Sequence, residues 1–447
     1  MNFDSIFHAA DAETRRSFLS TFAQRAFGLA ALPSLGHLAA SLPQDTAPQD
    51  RSGEANRSAP QLGTATAQSV IYVFLKGGMS HLDTFDTKPD AKTQGPVKSI
   101  STSADGVQLS EHFPVLAKQM HHVALINSMS STVGAHEQAQ YLMRTSYEMR
   151  GTIKHPGLGT WCNAICGSRN ESLPGHVVIS GGAEMISSGF FPPTYLPLPI
   201  GNPEEGLQNS SRSKAIDEKT FAKRLELLKK MNEAFAARYP QRPVRAYTEG
   251  YEAAVDLMRS PDLIAFDTKK ESDAIRQAYG EDAFGRGCML ARRLVEHGVR
   301  YVEIGLGGWD THNQNFEELG DKCPALDRGL GTLIADLDAR GLLRETMVVV
   351  ATEFGRTPDI TKDNNGRNHY PKAFSTLMAG GGIRGGLRFG KTDAEGREVV
   401  EKRVTIQDFN ATIATALGIP LKHIEHSPSG RPFTAADKGR PVLELLA

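Results

Sequence analysis

Cysteine is scarce, with 4 residues in a chain of 447. Cys162, Cys166, Cys288 and Cys323 supply no second matched pair, so neither a disulfide scaffold nor a cysteine-ligated metal knuckle is built from them. They are read as buried small hydrophobes, with a Cys162 to Cys166 bond as the lesser alternative. Charge of one sign is also missing: 50 basic residues face 51 acidic ones, a net charge of -1. That balance leaves no electrostatic footprint for nucleic acid and no acidic tail. Long apolar runs are absent too, since no segment approaches the roughly 20 apolar residues of a membrane span. What the chain has in quantity is glycine, 43 residues, beside 40% hydrophobic residues. Both suit a large, loop-rich α/β domain able to bury a sizeable core.

The N-terminus reads as an address. Thr14, Arg15, Arg16, Ser17, Phe18 and Leu19 match the twin-arginine export pattern, and Phe22 to Ala40 follow as a weakly apolar stretch interrupted by Arg25. Residues 1–40 are therefore expected to be a signal peptide and 41–69 a linker of Pro, Gln, Ser, Ala and Thr, too poor in apolar residues to order itself. The mature chain, 70–447, is expected in the periplasm or outside the cell as a single α/β domain. Substrates of that route resemble one another in crossing the membrane folded, often with a cofactor in place.

β-branched and aromatic runs bounded by glycine predict buried strands at Val70–Leu75, His121–Ser130, His176–Ser180, Tyr301–Leu306, Met347–Ala351 and Ser375–Ala379. Helical periodicity covers 137–149, 218–238, 246–259, 273–279, 284–298, 317–340 and 405–417, and the block 214–298 reads as a helical insertion. The helix at 317–340 joins two strands that must then be parallel, with a right-handed crossover. Asp310, His312 and Glu353 would thus leave the same edge of the sheet.

Polar clusters fall after these strands or in the loops between them: Ser80, His81 and Asp83; Asp310 and His312; Glu353; and His369. Imidazoles and carboxylates delivered from several strand ends are the donors a hydrolytic metal site needs. Each taken alone has a plainer reading, a helix cap for Asp310, a solvated His312, a turn serine for Ser80; together they favour a site. His136, in the loop after the second strand, is a further ligand or outer donor, ranked below these. Ser80 is the candidate nucleophile on a glycine-rich turn. Arg356 and Arg367 are candidates to grip an oxyanion.

The segments FLKGGMSHLDTFDTKPD, GGWDTH, TEFGRTP with GRNHYP, and AGGGIRGG resemble the bacterial family called domain of unknown function 1501 over nearly the whole mature chain. That family is similar to the alkaline phosphatase and sulfatase superfamily. The resemblance implies a three-layer α/β/α fold with a mostly parallel sheet, and metal ligands on loops beyond the strand ends. It implies metal roles for Asp310, His312, Glu353 and His369. Two positions depart from the superfamily pattern: Lys76 and Gly77 stand where the first strand normally delivers Asp, and Phe354 stands where a second His would follow. His81 and Asp83 are the candidates to make good the loss. The expected cofactor is a divalent metal (zinc, calcium, manganese or magnesium). The expected activity is hydrolysis of phosphate or sulfate esters, on a small-molecule or polysaccharide substrate, with no nucleic-acid partner. The alternatives are a cell-envelope binding or scaffold protein with a degenerate metal site, and an enzyme acting on sugar esters in the envelope.

Overall fold

The computed structural model describes residues 63–182, 185–239 and 242–447. The expected signal peptide and most of the expected linker lie outside the described residues. Strand β1 spans Ser69–Lys76, and every residue before Lys76 is buried. Apolar side chains on both faces suit a central strand with helices above and below. Ten further strands bear on the sheet and the site: β2 (Val123–Ser130), β3 (His176–Ile179), β4 (Leu198–Ile200), β5 (Tyr301–Gly307), β6 (Thr346–Thr352), β7 (Gly355–Arg356), β8 (His369–Tyr370), β9 (Phe374–Ala379), β10 (Leu387–Phe389) and β11 (Val404–Thr405).

Nine of these form one sheet in the order β10-β2-β9-β6-β1-β5-β3-β4, with β11 beside β2. Strand β1 is parallel to both neighbours, with Val73 level with Ile304 of β5 and Val350 of β6. Only β9 runs against the rest of this sheet, antiparallel to β6 and to β2. The fold is α/β with a mostly parallel sheet, as the sequence implies. Strands β5 and β6 flank β1, so the 317–340 crossover spans one intervening strand.

Alternation along the strands divides the core. Val70, Tyr72 and Phe74 join a cluster with Leu142 and Met143 of α1 (His136–Thr145), Trp161 of α2 (Leu158–Cys166) and Phe409 and Ile413 of a C-terminal helix, Ile406–Ala416. That last helix opens with a capping box between Thr405 and Asp408, which satisfies two backbone donors otherwise left unpaired at a helix start.

Gln208–Met258 separates as a compact unit of its own. It carries α3 (Glu218–Arg238) and nearly all of α4 (Arg242–Arg259). The Asp217 side chain caps α3 by accepting the Thr220 N–H at 2.8 Å. The helices that follow, α5 (Asp273–Tyr279), α6 (Ala283–Glu296) and α7 (Asn315–Ala339), belong to the main unit. There Gly287 of α6 lies against Ile304 and Ile179, on the opposite sheet face from the Tyr72 cluster, so helices cover both faces. Because β6, β1 and β5 are adjacent and parallel, the loops that start at Glu353, Gly77 and Gly308 leave one edge side by side. In open α/β sheets that edge is where ligands bind.

Candidate metal centre

Close approach of these loops depends on glycine. Gly77 has φ 126° and Gly78 φ 84°, conformations that side chains disfavour. A Cβ at Gly77 would lie 2.5 Å from the Asp310 backbone nitrogen. The Lys76 carbonyl accepts the Trp309 N–H at 3.2 Å, which ties the end of β1 to the loop carrying Asp310. The ribbon of β7 and β8 sets His369 opposite Arg356. His136 is the first residue of α1, just past the end of β2.

These elements bring three imidazoles to one carboxylate oxygen. Asp310 Oδ1 lies 3.1 Å from His312 Nε2, 3.3 Å from His136 Nε2 and 3.4 Å from His369 Nε2. The Nε2 atoms of His312 and His369 are themselves 2.9 Å apart. Every Nδ1 is held from behind: His136 by Glu353 Oε1 at 2.8 Å, His369 by the Gly134 carbonyl at 2.8 Å, His312 by Asn368 Oδ1 at 2.9 Å. A bond at Nδ1 from an acceptor fixes the tautomer that leaves Nε2 with its lone pair, the usual arrangement behind metal-ligating histidines.

Electrostatics follow from the same contacts. Burial pushes the Asp310 carboxyl up, but the bond and charge of Arg356, with His136 and His312 nearby, overcome it and hold the pKa at about 2. Asp310 is therefore an anion at neutral pH. The bond to Glu353 outweighs burial and raises the His136 imidazole above its ordinary value. Burial lowers His369, aided by the charges of His136, Arg356 and His312 and opposed by the Gly134 carbonyl.

The donor set fits a cation. His136 Nε2 is buried and has no hydrogen bond in spite of its nearness to Asp310. Lone pairs of neutral imidazoles facing a carboxylate repel unless a proton or a metal lies between them. Ligands about 2.0–2.1 Å from a zinc ion stand about 3.3 Å apart at tetrahedral angles, which is close to the spacing around Oδ1. Among the described residues, His136, Asp310 and His369 form the one group of three such donors within mutual reach of an ion.

The family described as "Protein of unknown function (DUF1501)" matches residues 67–446. The chain belongs to the DUF1501 family. No curated protein matches it. Solved structures similar to it include the lipoteichoic acid synthase LtaP of Listeria monocytogenes, at 10% identity over 86% of this chain and 77% of that one, TM-score 0.39. A sulfatase from Pseudoalteromonas sp. is similar at 13% identity over 84% and 73%, TM-score 0.35. The alkaline phosphatase of the Antarctic bacterium TAB5 is similar at 13% identity over 71% and 92%, TM-score 0.31. At these values the likenesses do not bear on the chemistry of the site, which stands on its own geometry.

In this DUF1501 chain the residues singled out in the sequence fall at the cluster, behind it or away from it. Asp310, His312 and His369 meet at the cluster. Glu353 stands one layer behind it, fully buried, with Oε1 accepting from His136, from the Gly77 N–H at 2.8 Å and from Gln140 Nε2 at 3.1 Å. Ser80, His81 and Asp83 are not brought to the cluster. Asp83 is buried against Arg367, with Nε at 2.7 Å and Nη2 at 3.0 Å, and the Ser80 hydroxyl donates to it at 2.6 Å. The His81 Nε2 meets the Gly396 carbonyl at 2.8 Å, and burial lowers its pKa. Arg356 is fully buried, and its guanidinium donates to the carbonyls of Gly77, Gly78 and Arg367 as well as to Asp310. Those bonds turn both arginines inward, to hold loops and carboxylates.

His136 ranks higher in the structure than in the sequence. Its signal was readable: His136 and Gln140 are four apart at the start of a helix, hence on one face, and both reach Glu353. Asn368, which supports His312, carried no signal beyond its place beside His369.

Proposed function

We propose that this protein is an exported metal-dependent hydrolase of phosphate or sulfate esters, with His136, Asp310 and His369 holding one divalent ion and His312 at its margin. The observation that carries this reading is the meeting of three Nε2 atoms on Asp310 Oδ1 while each Nδ1 is held by an acceptor. An imidazole-rich set favours zinc over calcium or magnesium, which prefer all-oxygen sites. A divalent ion bound there supplies Lewis-acid polarisation of the ester and charge for the departing oxygen.

The chain's own residues do the remainder. Arg356 pins Asp310, and Glu353 pins His136, so the donors need no reorganisation when an ester arrives. Asp310 and His312 keep 47% and 38% of their side chains exposed, which leaves this face open to ester and to water. Ser80 is buried and spends its hydroxyl on Asp83, so water is the nucleophile the arrangement favours. The export arm of the proposal is supported by Arg15 and Arg16; replacing both with Lys should keep the protein in the cytoplasm.

Purified protein should carry one divalent ion per chain by elemental analysis, lost in a His136→Ala, Asp310→Ala double variant that still folds. With zinc or manganese restored, it should hydrolyse a generic aryl phosphate or aryl sulfate. Protein that stays metal-free after loading overturns the site. Loaded protein inert toward both esters overturns the hydrolase and leaves a non-catalytic metal-binding scaffold of the envelope.

A further inference from the structure

His136 is shared between the cluster and a cavity of about 710 Å³. A bare oxyanion needs far less room; this is the size of sites that enclose an organic ligand. The wall is built by α1, by the loop leading to α2, and by Ile186 and Ser187. Histidines aside, the charged lining residues are Lys76, Arg144, Arg150 and Lys154 against Glu137 alone. In a chain of net charge -1 this excess of positive charge is local to the cavity.

The cations are presented in two ways. Arg144 is fixed, its Nε and Nη2 donating to the buried Glu303 at 3.2 and 2.8 Å and Nη2 also to the Met185 carbonyl at 2.9 Å. Much of its charge is thereby offset. Arg150 and Lys154 stand exposed on the α1 to α2 loop. A second cavity of about 730 Å³ shares Arg150, Ile153 and His155 with the first and adds Arg431 and Lys438 beside Glu148 and Asp437, so the excess of positive charge belongs to the first cavity. Open space therefore continues past Arg150 into a cavity that no residue of the cluster lines.

We infer that the cavity receives the alcohol half of the ester, and that this half is an extended polar chain bearing at least one further anionic group, held by Arg150 and Lys154. What is cleaved rests on the hydrolase reading; the binding of the anion does not. The anionic group is a sulfate, a phosphate or a carboxylate, the common chemistry being a charge that a guanidinium and an ammonium can both meet.

The test uses the full chain with its metal content measured. Four disaccharides of one backbone, sulfated, phosphorylated, carboxylated and neutral, are titrated calorimetrically into wild type, an Arg150→Glu, Lys154→Glu variant, and an Arg150→Lys, Lys154→Arg variant. Both positions are on the surface, and thermal melts verify that each variant is folded. At least one anionic disaccharide should bind wild type and the conservative variant, and bind the charge-reversed variant at least tenfold more weakly. The neutral sugar should bind none of them comparably. Charge reversal without effect, equal binding of the neutral sugar, or binding of no anionic sugar overturns the inference. Failure to turn over aryl esters would instead strike the hydrolase reading and leave these titrations unmoved.

Discussion

Replacing Glu353 by Gln separates an ion ligand from a residue that positions one. The glutamate is fully buried, and its Oε1 accepts from the Gly77 N–H, His136 Nδ1 and Gln140 Nε2 at 2.8, 2.8 and 3.1 Å. Gln keeps the shape and an acceptor oxygen, but it removes the charge that faces the imidazole. A hydrogen bond to a charged group contributes roughly 1.5–3 kcal/mol and a neutral one roughly 0.5–1.5. The difference, about 1–2 kcal/mol, amounts to about 5- to 30-fold in the affinity of the site for a cation, overlapping the roughly 10- to 100-fold expected of groups that orient metal ligands. Zinc affinity is measured by competition with a chromogenic chelator for wild type, Glu353→Gln, and Asp83→Asn as a control for loss of a buried carboxylate outside the cluster. A loss beyond about 1000-fold would make Glu353 itself a ligand and refute the positioning role assigned to it. A change within twofold would show that its bond to His136 is without consequence for metal.

Gly77→Ala should cost roughly 2–5 kcal/mol in denaturant unfolding, because its positive φ strains a side chain and its Cβ meets the Asp310 backbone; an unchanged midpoint would refute the close approach. Arg367→Met leaves Asp83 buried without its partner and should cost about 3–5 kcal/mol, while zinc affinity, set by other residues, changes little in whatever folds. Burial and the Arg150 charge lower the His155 pKa to about 4 from 6.5, so the unfolded chain binds the proton first and the stability held by neutral His155 is lost as pH falls from 6.5 to 4. The melting-point advantage of wild type over His155→Gln should therefore narrow across that window, and a constant gap would contradict it. Thr405→Ala removes the capping box of the C-terminal helix and should cost about 1 kcal/mol, read as a lower melting temperature.

The strands were legible because parallel strands buried on both faces leave a continuous β-branched run, as in Val70 to Leu75 and Met347 to Ala351. The reversed direction of β9 was not, since Phe374 to Ala379 carries the same apolar run whichever way it points. Asp310, His312 and His369 could be found as polar residues after strand ends. The exclusion of His81 and Asp83 could not, because it depends on partners far along the chain, the Gly396 carbonyl for His81 and Arg367, 284 residues away, for Asp83. The same limit applied to Arg356. An arginine at a strand end reads as an anion binder until the carbonyls of Gly77, Gly78 and Arg367 are seen to take its hydrogens.

Charge explains why the cluster should hold one ion rather than two. Asp310 contributes one negative charge, and Glu353, acting only as an acceptor toward the Gly77 N–H, His136, Gln140 and the Thr352 hydroxyl, contributes another. Arg356 sits on Asp310 and returns one positive charge. With neutral imidazoles the sum is -1. One divalent ion would bring it to +1, enough to draw the anionic ester of the proposed reaction. A second would bring it to +3 around groups as buried as Glu353 and Arg356, where uncompensated charge is costly. Asp83 and Asp86 cannot offset it, since Asp83 is taken by Arg367 and Asp86 by Lys88 and Arg388. Ion pairs thus already neutralise Asp83 and Asp86, and because arginine does not lose its proton in proteins, no change of pH within the stable range would free Asp83 from the buried Arg367.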